Sequence, residues 1–310
     1  MARQKNDGSR FGIAEWFGRD FAGLSQSERV SLIEAAKSRT QSERPICPFR
    51  ADRSGVFKPC SKQSGICSIR KVGVAAEVTV HPDSNLRCLC PVRFYQSNTL
   101  LNWVGSELLG DQNPEMVSEI PFLKSPRGEL DDEVLGSDGA SVGRIDNVLV
   151  SRIAGRMEWC AVEMQAVYFS GPAFSDDFKS IAATPDGILH FPTKIRRPDY
   201  RSSGPKRLMP QLQIKVPTLR RWGKKMAVVV DEAFFESLGK METVSHISNA
   251  DIAWFVVGFD QAKDGFELMP RTVHMTTLER AVEGLTNGVP VTLSQFELDI
   301  TERLRSRAAN

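Results

Sequence analysis

The chain has 310 residues, enough for one large domain or two modest ones. At 41% hydrophobic and 25% charged it is ordinary globular material, with no repeat and no low-complexity tract. A net charge of +2 excludes a uniformly polycationic or polyanionic protein, so any charge-driven function must rest on local segregation.

Met1–Arg10 has no long apolar stretch and does not read as a secretory leader. The longest apolar runs, around Met226–Val230 and Ile252–Phe259, are too short to span a bilayer as a helix. A soluble, cytoplasmic protein is expected. Phe11–Phe21 (FGIAEWFGRDF) reads as a short amphipathic helix burying Phe11, Ala14, Trp16 and Phe17. Ser25–Glu28 is a capping box that opens a helix through Lys37, with Val30, Ile33 and Ala36 on its apolar face.

Five of the six cysteines follow within one segment: Cys47, Cys60, Cys67, Cys88 and Cys90. Clustered cysteines in a chain without a secretory leader point to a metal rather than to disulfides. Cys47 and Cys90 each precede a proline, and Cys60 and Cys67 flank the turn-forming Ser61–Gly65. Cys47, Cys60, Cys67 and Cys90 are the ligands expected for one tetrahedral thiolate site, with Cys88 as an alternative to Cys90. The spacing is not that of a zinc finger or ribbon. Cys160 falls in an apolar run and is expected simply to be packed.

Between Leu109 and Asp138 the chain turns acidic, with eight Asp or Glu against Lys124 and Arg127. This stretch reads as a solvated loop and helix edge. Two apolar runs then follow, Ile145–Val150 and Trp159–Phe169, joined through Gly155-Arg156. β-Branched and aromatic residues crowd both, so they read as adjacent strands. Asp146 interrupts the first, and Glu163 and Gln165 interrupt the second. Residues two apart on a strand share a face. Two carboxylates from neighbouring strands in an apolar sheet are costly unless a cation offsets them. With a third polar group they make an oxygen site for Mg²⁺.

Asp176 and Asp177 precede a short helical stretch. From Lys194 to Lys225 the chain then holds Lys194, Arg196, Arg197, Arg201, Lys206, Arg207, Lys215, Arg220, Arg221, Lys224 and Lys225 against the single acid Asp199. Such a basic block in a near-neutral chain is the expected footprint of DNA phosphate contacts. Lys194–Arg207 reads as loop, and Gln211–Trp222 as a helix or helix–strand mixture interrupted by Pro217. Met226–Val230 and Ile252–Phe259 read as buried strands, and Asp231–Leu238, Thr276–Thr286 and Ser294–Ser306 as helices. Strands alternating with helices fit an α/β sandwich around a central mixed sheet.

The Asp146, Glu163 and Gln165 pattern resembles the PD-(D/E)xK nuclease core, with Gln in place of the usual Lys. The chain as a whole resembles the NotI family of restriction endonucleases. The pieces that carry the likeness occur in order: FGIAEWFGRD, ICPF, PCSKQSGICS, CPVRF, the Asp146 strand, AVEMQAVYFSG and IAWFVVGFD. The resemblance implies a four-cysteine iron site beside a PD-(D/E)xK core that ends in Gln. It favours Cys90 over Cys88, since the fourth cysteine of the family directly precedes a proline. It also suggests Glu119 as a further acid near the metal.

The expectation is therefore a type II-like, Mg²⁺-dependent endonuclease that cuts double-stranded DNA at specific sites. Residues 1–105 would form a loop-rich subdomain around iron or zinc, and residues 106–310 the nuclease domain. The resemblance further implies a homodimer, with a cognate methyltransferase as a possible companion. Two other readings fit the same residues: a repair or CRISPR-associated nuclease with a four-cysteine cluster, and a metal-stapled DNA-binding protein without catalysis.

Overall fold

A computed structural model describes residues 9–38, 40–51, 55–73, 85–124, 141–153, 155–171, 174–194, 196–263, 265–288 and 291–308. The elements run β1 (Arg10–Trp16), β2 (Arg19–Asp20), α1 (Gln26–Ala36), β3 (Ile46–Ala51), β4 (Phe57–Pro59), β5 (Ile66–Val72), β6 (Leu86–Cys88) and α2 (Thr99–Leu109). They continue with β7 (Glu115–Lys124), β8 (Ser141–Ile153), β9 (Arg156–Met164), β10 (Tyr168–Phe169), α3 (Phe178–Ala182), β11 (Pro198–Asp199) and α4 (Tyr200–Ser203). A π-helical turn, Gly204–Leu208, leads into α5 (Met209–Arg221), followed by β12 (Met226–Asp231), α6 (Glu232–Glu236), β13 (Ile252–Ala262), β14 (Gly265–Thr276), α7 (Leu278–Thr286) and α8 (Leu293–Ala308).

The central sheet is mixed and six-stranded, in the order β14-β13-β12-β9-β8-β7. β12 runs parallel to both β9 and β13, and the other pairings are antiparallel. The parallel pairs put connecting helices on the sheet. Alternate residues divide the interior accordingly. Ala161, Val228, Val230, Ile252, Trp254 and Val256 pack with Leu208, Leu212, Val216 and Leu219 around α5. Leu149, Val162, Ala227, Val229, Ala253 and Phe255 pack with Leu100, Leu101 and Val104 of α2. Both clusters draw on residues before and after position 105, so the two halves of the chain share one interior.

The N-terminal residues form a second sheet, β2-β1-β5-β6, and the separate hairpin β3–β4. This corrects the helix expected over Phe11–Phe21. Trp16 pairs with Arg19 across a two-residue turn whose central residues, Phe17 and Gly18, have φ of 48° and 78°. Two positive φ values suit a strand hairpin and forbid a continuing helix. β1 is buried on both faces from Gly12 outward save its first two residues, so its apolar residues cluster instead of alternating.

The capping box is present: Ser25 Oγ accepts from Glu28 N, and Glu28 Oε2 accepts from Ser25 N at 2.9 Å. Ile33 and Ala36 are buried as expected, but Val30 is largely exposed and Arg29 takes an interior place, paired with Asp186 at 2.9 Å. Three further expectations change. Glu115–Lys124 is a strand, while the acids from Glu129 to Asp138, with Arg127, lie outside the described residues. The basic segment before Arg207 holds short helical turns, and Pro217 stands on the exposed side of an unbroken α5. The run Trp159–Phe169 is not one strand. β9 ends at Met164, because beyond it Val167 N turns to Cys88 O at 3.0 Å and Tyr168–Phe169 pairs with Pro198–Asp199. Among the described residues no helix is long and apolar enough to cross a membrane.

Candidate active site and metal centre

Two places gather chemistry-bearing side chains. The first lies where β8, β9 and α5 meet. Asn147 pairs with Val162, which puts Asp146 and Glu163 at the next step of neighbouring strands. Both side chains reach Lys215, whose Nζ donates to Glu163 Oε2 at 2.8 Å and to Asp146 Oδ2 at 3.3 Å. The same Nζ donates to Gln211 Oε1 at 2.8 Å, one helical turn back on α5. The Glu163 side chain is 6% exposed and that of Asp146 46%, so the cluster is closed on the Glu163 side and open on the Asp146 side. Burial pushes the Glu163 carboxyl up to about 7; Lys215 opposes this and Asp146 adds to it. A buried acid so disfavoured as an anion is one that a cation stabilises.

The other face of β8 braces the pair. Tyr95 Oη and Ser118 Oγ both donate to Asn147 Oδ1, at 2.9 and 3.1 Å. Burial raises the Tyr95 phenol, with Asp146, Glu163 and Glu119 contributing, so the hydroxyl stays a donor. Tyr95 and Ser118 also wall a cleft of about 810 Å³ between the β3–β4 hairpin and β7.

Gln165 lies just past the end of β9. Its backbone N bonds Val229 O at 3.0 Å, and its side-chain amide donates to Ala166 O at 2.6 Å. Glu119 stands between Ser118, which pairs with Asn147, and Ile120, which pairs with Ile145, and so lies across from Asp146. It has φ 59°, rare for a non-glycine residue in a strand, and its carboxylate is 3.8 Å from Arg144.

The basic block divides. Lys215 belongs to the acid cluster, not to the surface. Arg196 is buried, stacked 4.0 Å over Phe174 and 3.6 Å from Asp177. Arg220 is held by Asp251 and Glu279, Lys224 by Glu158 at 2.7 Å, and Lys225 reaches Ser248 O. Lys194 is exposed and 3.2 Å from Asp176. Arg197, Arg201, Lys206, Arg207 and Arg221 are exposed. A residue pattern could have separated Lys215: it shares the stripe of Leu208, Leu212, Val216 and Leu219, all at most 1% exposed. A lysine in an apolar stripe demands acids opposite it.

The second place lies in the N-terminal part. Cys47, Cys60, Cys67 and Cys90 line one cavity of about 10 Å³, together with Phe17, Lys62, Gly65 and Val92. Leu89 N and Cys90 N both bond Cys67 O, at 2.9 and 3.2 Å, which sets Cys67 beside Cys90. Gly18 is needed there: a Cβ would meet Pro48 Cγ at 2.2 Å, next to Cys47. All four thiols are free. Burial pushes Cys47, Cys60 and Cys67 up. Backbone groups of Phe49 and Arg50 at Cys47, Lys62 at Cys60 and Gly18 at Cys67 pull the other way. The Cys60 and Cys67 thiols donate to Lys62 O at 3.3 Å and Gly65 O at 3.6 Å. Among the described residues no group of three or more His, Cys, Asp or Glu side chains forms a ready-made ligand cage. Four thiols on one small cavity are a donor set whose chemistry fits a soft ion. Cys88 is elsewhere: its N donates to Asp231 Oδ2 at 2.6 Å and its thiol faces Cys90 O. Cys160 is packed in the core cluster of Leu149 and Val162.

The family model described as restriction endonuclease NotI matches residues 29–269, a span that includes Asp146, Glu163 and Lys215 and the four cysteines Cys47, Cys60, Cys67 and Cys90. The protein is thus a restriction endonuclease in class, which implies DNA as substrate. More particularly, the chain belongs to the NotI restriction endonuclease family. No curated protein sequence matches it.

Proposed function

We propose that the chain hydrolyses double-stranded DNA at specific sites with Mg²⁺, on a PD-(D/E)xK-type core. The observation that carries this reading is the convergence of Asp146 and Glu163 on one cationic atom, in a member of a restriction endonuclease family. Asp146 and Glu163 hold the ion, with Glu119 as a further acid across from Asp146. Gln165 orients water or phosphate by hydrogen bonds. When bound, Mg²⁺ supplies a Lewis acid and eases deprotonation of water near neutral pH. Burial of Glu163 strengthens the local electrostatics, and the open Asp146 side leaves an approach for the backbone phosphate.

Residues 1–105 carry the second metal, iron or zinc, on Cys47, Cys60, Cys67 and Cys90, in a structural role. Arg197, Arg201, Lys206 and Arg207 are the leading phosphate contacts, with Lys194 and Arg221 beside them. Arg and Lys against guanine edges would read sequence. Location in the cytoplasm, beside a cognate methyltransferase, fits this activity.

Two copies would act together, one active site per strand. α8 supports this. Leu293, Phe296, Ile300 and Leu304 form an exposed apolar stripe. Its first half carries Glu297 and Asp299, and its second half Glu302 with Arg303 and Arg305, so antiparallel self-pairing brings the acids of one copy toward the arginines of the other. Sedimentation should give a dimer for the full chain and a monomer for Phe296→Arg/Ile300→Arg; an unchanged mass in that variant places the contact elsewhere.

Digestion of several sequenced DNAs with purified protein and Mg²⁺ tests the whole reading. Discrete bands are expected. A smear would favour a repair or CRISPR-associated nuclease, and intact DNA a binding protein without catalysis.

A further inference from the structure

We propose that Lys215 supplies, from helix α5, the ammonium that the acid-x-Lys motif carries on the strand, where this chain has Gln165. The inference rests on the nuclease reading above and names a further positioning residue for it.

Three observations carry it. First, Lys215 Nζ donates to both proposed metal-binding carboxylates and to Gln211, so all three of its protons are committed. Second, the side chain is held on the sheet-facing side of α5. Lys215 is 5% exposed, with Leu212, Val216 and Leu219 packed around it on the same helix. A lysine so placed has little rotamer freedom, and its charge stays at the cluster. Third, the amide of the residue in the motif's own third position is already engaged. The Gln165 amide is on Ala166 O, and Gln bears no charge in any orientation.

The chemistry follows from counting donors. Asp146 and Glu163 together bring two negative charges, and one ammonium already lies between them. When the carboxylates turn to a divalent ion, Nζ keeps Gln211 Oε1 and has two protons to direct elsewhere. Those protons can donate to the attacking water and to a phosphate oxygen, which gains negative charge as the new P–O bond forms and the old one breaks; the proton that the water sheds passes to solvent on the open Asp146 side, and the leaving oxygen takes one from solvent. Lys215 need not lose a proton at any step. Its role is to orient water and to offset charge in a water-poor corner, where such a contact is strong. Gln211 is the tether that keeps it there. An ordinary surface phosphate contact does not fit: a side chain this buried cannot reach out to a duplex without leaving Glu163 unpaired.

The test moves the lysine. Lys215→Gln should slow single-turnover cleavage in Mg²⁺ by about 10²-fold or more. DNA affinity measured in Ca²⁺, which should support binding without cutting, should stay at its wild-type value. Calorimetry of the protein alone should show Ca²⁺ binding at least as tight as in wild type, because a competing cation has been removed. The double variant Lys215→Gln/Gln165→Lys should then regain about tenfold or more of the lost rate. It keeps one ammonium at the acids and so also covers the case in which the single variant folds poorly. Near-wild-type cleavage by Lys215→Gln overturns the inference. So does a loss that tracks DNA affinity, and so does a double variant that does not recover. If Glu163→Ala is inactive while Lys215→Gln cuts normally, only the role of Lys215 is lost. If wild type leaves DNA intact, the nuclease reading falls with it.

Discussion

The cysteine cavity and the acid cluster differ in the donors they offer and in how open they are. At the cysteines the donors are soft, and burial pushes three of the thiols up, opposed in part by nearby backbone groups. The four side chains line a cavity of about 10 Å³, too small for a substrate. At Asp146 and Glu163 the donors are hard oxygens, an ammonium holds the place between them, and one side is open. A closed soft shell suits a structural ion, and an open hard pair suits a replaceable ion that meets substrate. Softness and access together, more than the number of ligands, separate the two roles.

The largest effect should come from the acid side. Glu163→Ala should lower single-turnover cleavage by at least roughly 10²–10³-fold, the scale for loss of one preorganised charge contact. DNA binding in Ca²⁺ should survive. Cleavage near the wild-type rate would remove Glu163 from the centre and collapse the contrast. The cysteine side should respond in the reverse sense, through folding. Ordering a loop-rich segment costs about 1–2 kcal/mol per residue, whereas structural zinc in small peptides contributes about 10–16 kcal/mol. Cys→Ser at Cys47, Cys60, Cys67 or Cys90 should therefore give unstable or insoluble protein that added Mg²⁺ does not restore. Cys160→Ser should be milder and Cys88→Ser milder still, judged by soluble yield and thermal unfolding. Severe loss at Cys88 with a stable Cys90→Ser variant would reverse the choice of fourth ligand.

A smaller and more graded effect concerns the surface. Replacing Arg197, Arg201, Lys206 and Arg207 with Ala should flatten the plot of log K against log salt by about 0.9 for each phosphate contact removed. The rate constant once DNA is bound should hardly change. An unchanged slope would mean that phosphates are met elsewhere.

What the sequence made legible follows local rules. The Ser25–Glu28 box sets α1 because the cap is a contact between near neighbours. Met226–Val230 and Ile252–Phe259 are visible because strands covered on both faces are continuous apolar runs. Asp146 and Glu163 stand out as acids inside such runs. The same rule misleads at β1, whose both-face burial imitates a helix. It is also silent at β14, an edge strand with Pro270 beside a register shift, where polar residues and a proline are tolerated. The four cysteines are legible as a set, but their common cavity depends on β5 and β6 pairing across the chain. Lys215 was hidden for a related reason. Charge counting placed it in a surface block, while the stripe of α5 on which it sits turns it toward the sheet.

We propose that one chain holds two cation sites of unlike chemistry and unlike duty. Elemental analysis of purified protein, before and after dialysis against a chelator for hard ions, tests it most directly. One tightly held transition metal per chain, iron or zinc, should survive dialysis together with the fold, while cleavage is lost and returns with Mg²⁺ alone. Protein that is free of transition metal yet folded and active would contradict it.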